Sequence, residues 1–207
     1  MPGPILLYSR SMLPAHAWLA AVLGLAPALP GGPPQRISAG QEFHGADTRL
    51  IPSPDGTRRV RIRSFAATLE GKGIRGSRLL ARIQRSGSLL WSADGSLIAL
   101  NDDMGSNCAD AYVFDARRGR RLVDLEEAID RGFPEDVWMG HRYVRITGWN
   151  GPRCVDVLVE GHAESWGMAF EMRYQYTLGK GLVRISRMRE GPKEDSLKPF
   201  TEPCPKG

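Results

Sequence analysis

The chain has 207 residues, 42% of them apolar, with 28 Lys or Arg against 23 Asp or Glu and 3 Cys. Its basic excess is mild and alternates with apolar residues, as at Arg61, Arg63, Arg145 and Arg184. That pattern describes solvated strand faces, argues against a nucleic-acid interface, and leaves at most a weak attraction to anionic surfaces or polymers. No run approaches the roughly 20 apolar residues of a membrane-spanning helix.

Arg10 precedes an apolar stretch from Ala15 to Leu25, and Ala26-Pro27-Ala28 supplies small residues at cleavage-site spacing. Residues 1–28 are therefore expected to be a signal peptide, with Met12 as an alternative start and a periplasmic or secreted mature protein beginning near Leu29. Residues 29–41 include Pro30-Gly31-Gly32-Pro33-Pro34 and read as a linker. Residues 42–190 are expected to form one β domain, and 191–207, punctuated by Pro192, Pro199, Pro203 and Pro205, a flexible tail.

Within the domain a turn recurs. Ser53-Pro54-Asp55-Gly56-Thr57 precedes Val60-Arg61-Ile62, and 39 residues later Ser92-Ala93-Asp94-Gly95-Ser96 precedes Leu97-Ile98-Ala99-Leu100. This period suits a repeated β unit rather than a helical solenoid. Alternating or apolar runs predict strands at Arg59 to Phe65, Leu79 to Gln84, Leu97 to Asn101, Tyr112 to Asp115, Tyr143 to Gly148 and Val155 to Glu160. The loop from Asn101 to Asp110 concentrates oxygen donors, and Asp102, Asp103, Asn107 and Asp110 are its candidate calcium ligands, since a hard cation takes six to eight oxygens. Asn, Asp, Ser and Gly are equally the residues that bond their own backbone in turns, and adjacent Asp102 and Asp103 on a strand would point to opposite faces.

A second self-similarity places Leu100, Gly105, Cys108, Asp110 and Val113 in step with Ile146, Gly151, Cys154, Asp156 and Val159, at an offset of 46 residues. It predicts a Cys108–Cys154 disulfide, with Cys204 left out in the tail. Asp124 as cap, Glu127 three residues on, apolar Leu125, Ala128 and Ile129, and the stop at Gly132-Phe133-Pro134 predict one short helix over about 124–131. Phe170, Met172, Tyr174 and Tyr176 alternate with Glu171, Arg173, Gln175 and Thr177. Turned by Gly179-Lys180-Gly181, this run predicts a hairpin over 168–188 with the four large side chains inward.

Trp91-Ser92-Ala93-Asp94-Gly95-Ser96, with Ala111-Tyr112-Val113-Phe114-Asp115 and Arg118-Gly119-Arg120-Arg121-Leu122, resembles a blade of the TolB-type and WD-repeat β-propellers, and Ser53-Pro54-Asp55-Gly56 looks like the same turn in an earlier unit. The resemblance spans about residues 50–125 and implies blade structure, which many unrelated functions share. Three such units at most fit the chain, fewer than the four of a closed propeller. The expected fold is all-β: antiparallel sheets built from two or three blade-like units with one short helix, or a β-sandwich, with closure by oligomerisation as second choice.

Catalytic signals are weak. Ala163-Glu164-Ser165-Trp166-Gly167 has the outline of a nucleophile elbow near His141 and His162, but the residues after it alternate as a strand, where an elbow needs a helix. Trp138, Trp149 and Trp166, with Tyr143 and Tyr174, could instead line a stacking surface, Trp149 being the one expected to be most exposed. The expectation is an exported, non-enzymatic domain that binds a protein or glycan partner through loops at one end of its sheets. An exported hydrolase with dispersed catalytic residues and a calcium-stabilised structural module are the alternatives.

Overall fold

Period-two alternation on the chain becomes strand on strand in the computed structural model, which describes residues 37–38, 40–105, 108–134, 141–163 and 168–190. All of these lie in one unit, Pro33–Gly207. The protein is all-β: among the described residues there are fourteen strands and one short helix.

The first meander runs β3 (Arg49–Pro52), β4 (Arg58–Arg63), β5 (Ala66–Gly71) and β6 (Ser77–Arg82), a four-stranded antiparallel sheet. The second runs β7 (Ser86–Trp91), β8 (Leu97–Asp103), β9 (Cys108–Asp115) and β10 (Arg120–Asp124), and β2 (Gln41–His44) extends it along the free side of β7. Helix α1 (Leu125–Gly132) follows β10 directly. A third meander of β11 (His141–Trp149), β12 (Cys154–Ala163), β13 (Met168–Thr177) and β14 (Gly181–Glu190) then joins the second. The join is parallel: Cys108 and Ala109 of β9 pair with Arg142 and Tyr143 of β11, while β10 occupies the later part of the same β9 edge. β1 (Ile37–Ser38), inside the segment expected to be linker, pairs with the far end of β11.

Strands β7 to β9 form the middle layer. Leu89, Ile98, Leu100 and Phe114 pack against Ile51, Val60, Ile62 and Leu69 of the first meander. The opposite face, with Ala99, Ala111 and Val113, meets Val144, Ile146, Val157, Met172 and Tyr174 of the third, together with Leu125 and Ile129 of α1. This is why Leu97-Ile98-Ala99-Leu100 is a continuous apolar run: a strand covered on both faces has no solvent side to alternate with. Phe170, Met172 and Tyr174 are buried and Tyr176 packs at the edge of the same core, so the hairpin faces the way its alternation requires. Asp124 caps α1 by accepting Glu127 N–H at 3.2 Å.

The two recurring turns are one structure twice. Ser53 Oγ lies 2.6 Å from Asp55 Oδ1 and accepts Arg58 N–H at 3.0 Å; Ser92 Oγ lies 2.7 Å from Asp94 Oδ1 and accepts Leu97 N–H at 2.9 Å. Gly56 and Gly95 take φ of 67° and 65°, the left-handed region that side chains resist. The turns also touch: a Cβ added to Gly95 would sit 3.6 Å from Ser53, Pro54 and Asp55.

The predicted disulfide is not formed. Cys154 is a free thiol. β9 and β11 run in the same direction, so the turns of the two similar hairpins lie at opposite ends of the sheet. Cys108 is level with Arg142 and hence with Gly161 of β12, seven residues from Cys154. That separation is about 23 Å at strand rise, far beyond the reach of a bridge. Cys204 lies outside the described residues. Trp149 also reverses its expectation, being 1% exposed, with its Nε1–H donated to Leu90 O at 3.4 Å.

Candidate functional site

Where β8 and β11 diverge, a cleft of about 600 Å³ opens between the second and third meanders. Strand register sets its lining. Glu42, Ser88 and Asn101 stand opposite one another across β2, β7 and β8, as do His44, Ser86 and Asp103 one step along. β11 supplies Arg145, whose Nη2 is 2.9 Å from Asp103 Oδ1. Asn101, 5% exposed, closes the gap beneath: its Oδ1 accepts Ile146 N–H at 2.8 Å and its Nδ2 donates to Ile146 O at 3.0 Å and Ser88 Oγ at 2.9 Å. A side-chain amide thus takes the place of a neighbouring strand for one residue of β11. Small residues keep the floor low, since a Cβ on Gly87 would lie 2.2 Å from Asn101 O.

The cleft presents alternating acceptors and donors, yet none forms a nucleophile and base. Ser86 Oγ donates to Asp103 Oδ2 at 3.3 Å, and His44 Nδ1 accepts from Ala46 N–H at 3.5 Å. Activation of a serine requires the hydroxyl to donate to an imidazole oriented by a carboxylate, a different order of contacts. The turn beside the cleft is strained: Ser64 and Phe65 have φ of 49° and 59°, and Phe65 is 42% exposed. Its conformation is held by Phe65 N–H to Gly45 O at 2.8 Å and Ile83 N–H to Phe65 O at 2.9 Å.

A second polar group lies where β9, α1 and β11 meet. Arg142, 6% exposed, holds Glu126 Oε1 at 2.8 Å and Asp130 Oδ1 at 2.7 Å. Asp110 is buried beside Glu126 and accepts the Tyr112 hydroxyl at 3.0 Å. Burial first, then the hydrogen bond and charge of Glu126, push Asp110 up to about 7, and the same burial with Asp110 adjacent raises Tyr112. Three carboxylates and one guanidinium leave two negative charges in excess in this group, and a proton shared between Asp110 and Glu126 relieves one of them.

The proposed cation ligands are dispersed. Asp103 faces the cleft, whereas Asp102 faces the first meander, accepts Gln84 N–H at 3.2 Å and is pushed up to about 6, chiefly by burial. Asp110 belongs to the Arg142 group, and Asn107 lies outside the described residues, as do Trp138, Ser165 and Trp166. Among the described residues no three His, Cys, Asp or Glu converge as metal ligands would. Glu126 and Arg142 escaped the sequence reading because a carboxylate on a short helix normally marks a solvated face; the signal that could have exposed them is Arg142 standing in phase with Val144 and Ile146, on the buried side of β11. The sequence matches no known family and no curated protein.

Proposed function

We propose that the chain is an exported, non-enzymatic β domain that binds a partner in the polar cleft between β8 and β11, and that the ligand is hydroxyl-rich, as a glycan is. The observation that carries this reading is the pair of in-register rows, Glu42–Ser88–Asn101 and His44–Ser86–Asp103. Their donors and acceptors stand on paired strands and are fixed before any ligand arrives, which reduces the ordering cost of polar recognition. The exposed Phe65 beside the cleft offers a ring for a sugar face or a peptide side chain. The repeated, touching turns support the likeness to propeller blades, a scaffold that carries sites on the loops and edges of its sheets.

Calorimetric titration with soluble peptidoglycan fragments and neutral oligosaccharides tests the ligand class. Binding should weaken roughly tenfold in Asp103→Ala and in Glu42→Ala, the loss expected when a charged hydrogen-bond partner is removed. Saturable binding indifferent to both substitutions would move the site elsewhere; no binding to any probe would reject the glycan reading in favour of a protein partner. Intact mass from the exported fraction tests the compartment, and a chain retaining residues 1–28 would count against it.

The carboxyl pair Asp110–Glu126 favours one other reading, an exported hydrolase using a carboxylic acid that stays protonated near neutrality. Hydrolysis of a glycan probe abolished by Asp110→Asn, with the fold intact, would establish it.

A further inference from the structure

Charge is divided unevenly along this chain. Residues 49–85 carry ten Lys or Arg against two Asp or Glu, whereas residues 86–190 carry thirteen against sixteen. The basic part is the first meander, whose inner face is covered by β7–β9 and whose outer face is open. Register lays out that outer face in three rows: Pro52, Arg59, Glu70 and Ser77; then Leu50, Arg61, Thr68 and Leu79; then Arg63, Ala66 and Arg82. Glu70 is its one carboxylate. It is already engaged by Arg61 at 2.7 Å and Arg59 at 3.1 Å, which hold its carboxyl down at about 2.

The apolar residues of this face matter as much as the arginines. Leu50 and Leu79 are 47% and 48% exposed and stand in the same row, one on each edge strand, with Arg61 and Thr68 between them. Phe65 is exposed at one end of the same sheet. A soluble polyanion would use the guanidinium groups and leave the leucines in water. A bilayer with anionic headgroups uses both: phosphates meet the arginines, and the leucines enter the boundary between headgroups and acyl chains.

We propose that the outer face of β3–β6 is a peripheral membrane surface that docks the protein flat on an anionic bilayer. Residues 86–190 carry no basic excess to compete with this face, so the uneven distribution of charge also orients approach. The surface borders the cleft at Phe65, but Leu50, Arg63, Leu79 and Arg82 do not line that cleft, so the test does not depend on the ligand proposed there.

Co-sedimentation of the full chain with vesicles containing about 30 mol% phosphatidylglycerol tests it, with pure phosphatidylcholine vesicles and soluble dextran sulfate as the other arms. Binding should occur on the anionic vesicles alone among the two lipids and fall steeply with salt. Arg63→Glu with Arg82→Glu should weaken it at least tenfold, while the equal charge change Arg153→Glu with Lys180→Glu, at exposed turns of the third meander, should have a much smaller effect. Leu50→Ser with Leu79→Ser should weaken vesicle binding several-fold and leave binding to dextran sulfate unaltered; both residues are half exposed, so the fold tolerates the change. Failure to bind anionic vesicles overturns the proposal. Equal losses in the two charge-reversal pairs, or vesicle binding indifferent to the leucines, would also overturn it, the first in favour of bulk charge and the second of a soluble polyanion.

Discussion

Arginine and carboxylate meet in two places in this molecule, and the surroundings make them different objects. On the first meander Arg59 and Arg61 hold a partly covered Glu70 from the solvent side, where both guanidinium groups stay in contact with water and the attraction is screened. Between α1, β9 and β11 the guanidinium itself is buried: the Arg142 side chain is 6% exposed against Glu126 and Asp130, and losing these partners would leave its charge uncompensated away from water. The same residue types therefore give a tolerant surface in one place and a cooperative, pH-sensitive junction in the other. Burial of the arginine, rather than ion-pair distance, separates them: both Arg61–Glu70 and Arg142–Asp130 close at 2.7 Å, but the Arg142 side chain is 6% exposed and that of Arg61 32%.

The sharpest way to break this contrast is Arg142→Ala. It should cost about 3 kcal/mol in denaturant unfolding, because a buried side chain is lost and the partly covered Glu126, beside Asp110, loses its counter-charge. A cost below about 1 kcal/mol would mean that the junction is as wet as the surface pair.

A test of burial independent of ion pairs comes next. Tyr174→Asp should cost several kcal/mol, since the side chain is 1% exposed among Met172, Phe133 and their neighbours, while Gln175→Asp on the other face of β13 should cost only about 1 kcal/mol, through the lost bond to Asp156 and the like charge opposite it. Equal midpoints for the two variants would reverse the facing of the hairpin.

The protonation of Asp110 sharpens the comparison further. Its folded pKa of about 7 stands above the model-compound value of 3.8, so the native state binds the proton more tightly than the unfolded one. Its contribution to stability should accordingly be fully present below about pH 4, fall as pH rises towards 7, and be absent above. Asp102, raised to about 6, acts in the same sense. Asp110→Asn should flatten this dependence, and a wild-type slope that survives the substitution would assign the proton elsewhere.

The smallest effect belongs to the surface cluster. Glu70→Gln should change stability by no more than about 1 kcal/mol, with any change reduced further in high salt. A salt-insensitive loss comparable to that of Arg142→Ala would erase the distinction between the two clusters.

Local chemistry was legible in the residues that need no distant partner. The Ser-x-Asp-Gly turns, the Asp124 cap, the alternation of β13 and the unbroken apolar run of β8 each report a backbone conformation or a buried face through near neighbours alone. The strand β5 was less visible, because Ala66, Ala67 and Thr68 are too small to mark a face until β4 and β6 lie beside them. Trp149 misled for a related reason: the Asn150-Gly151-Pro152 turn after it signals a surface, but the tryptophan itself points the other way, into the core.

By itself the amino-acid sequence determined the all-β class, the two equivalent turns, the helix and the facing of the last hairpin, since each follows from periodicity or from hydrogen bonds within a few residues. Only the tertiary structure decided that β9 and β11 run parallel, and that one choice carries the rest. It sends the two similar hairpin turns to opposite ends and parts Cys108 from Cys154. It opens the cleft that Asn101 bridges, and it brings Arg142 of β11 against Glu126 and Asp130 of α1. Strand direction after a crossover is fixed by how whole layers bury their apolar faces, a global balance that no short stretch of sequence records.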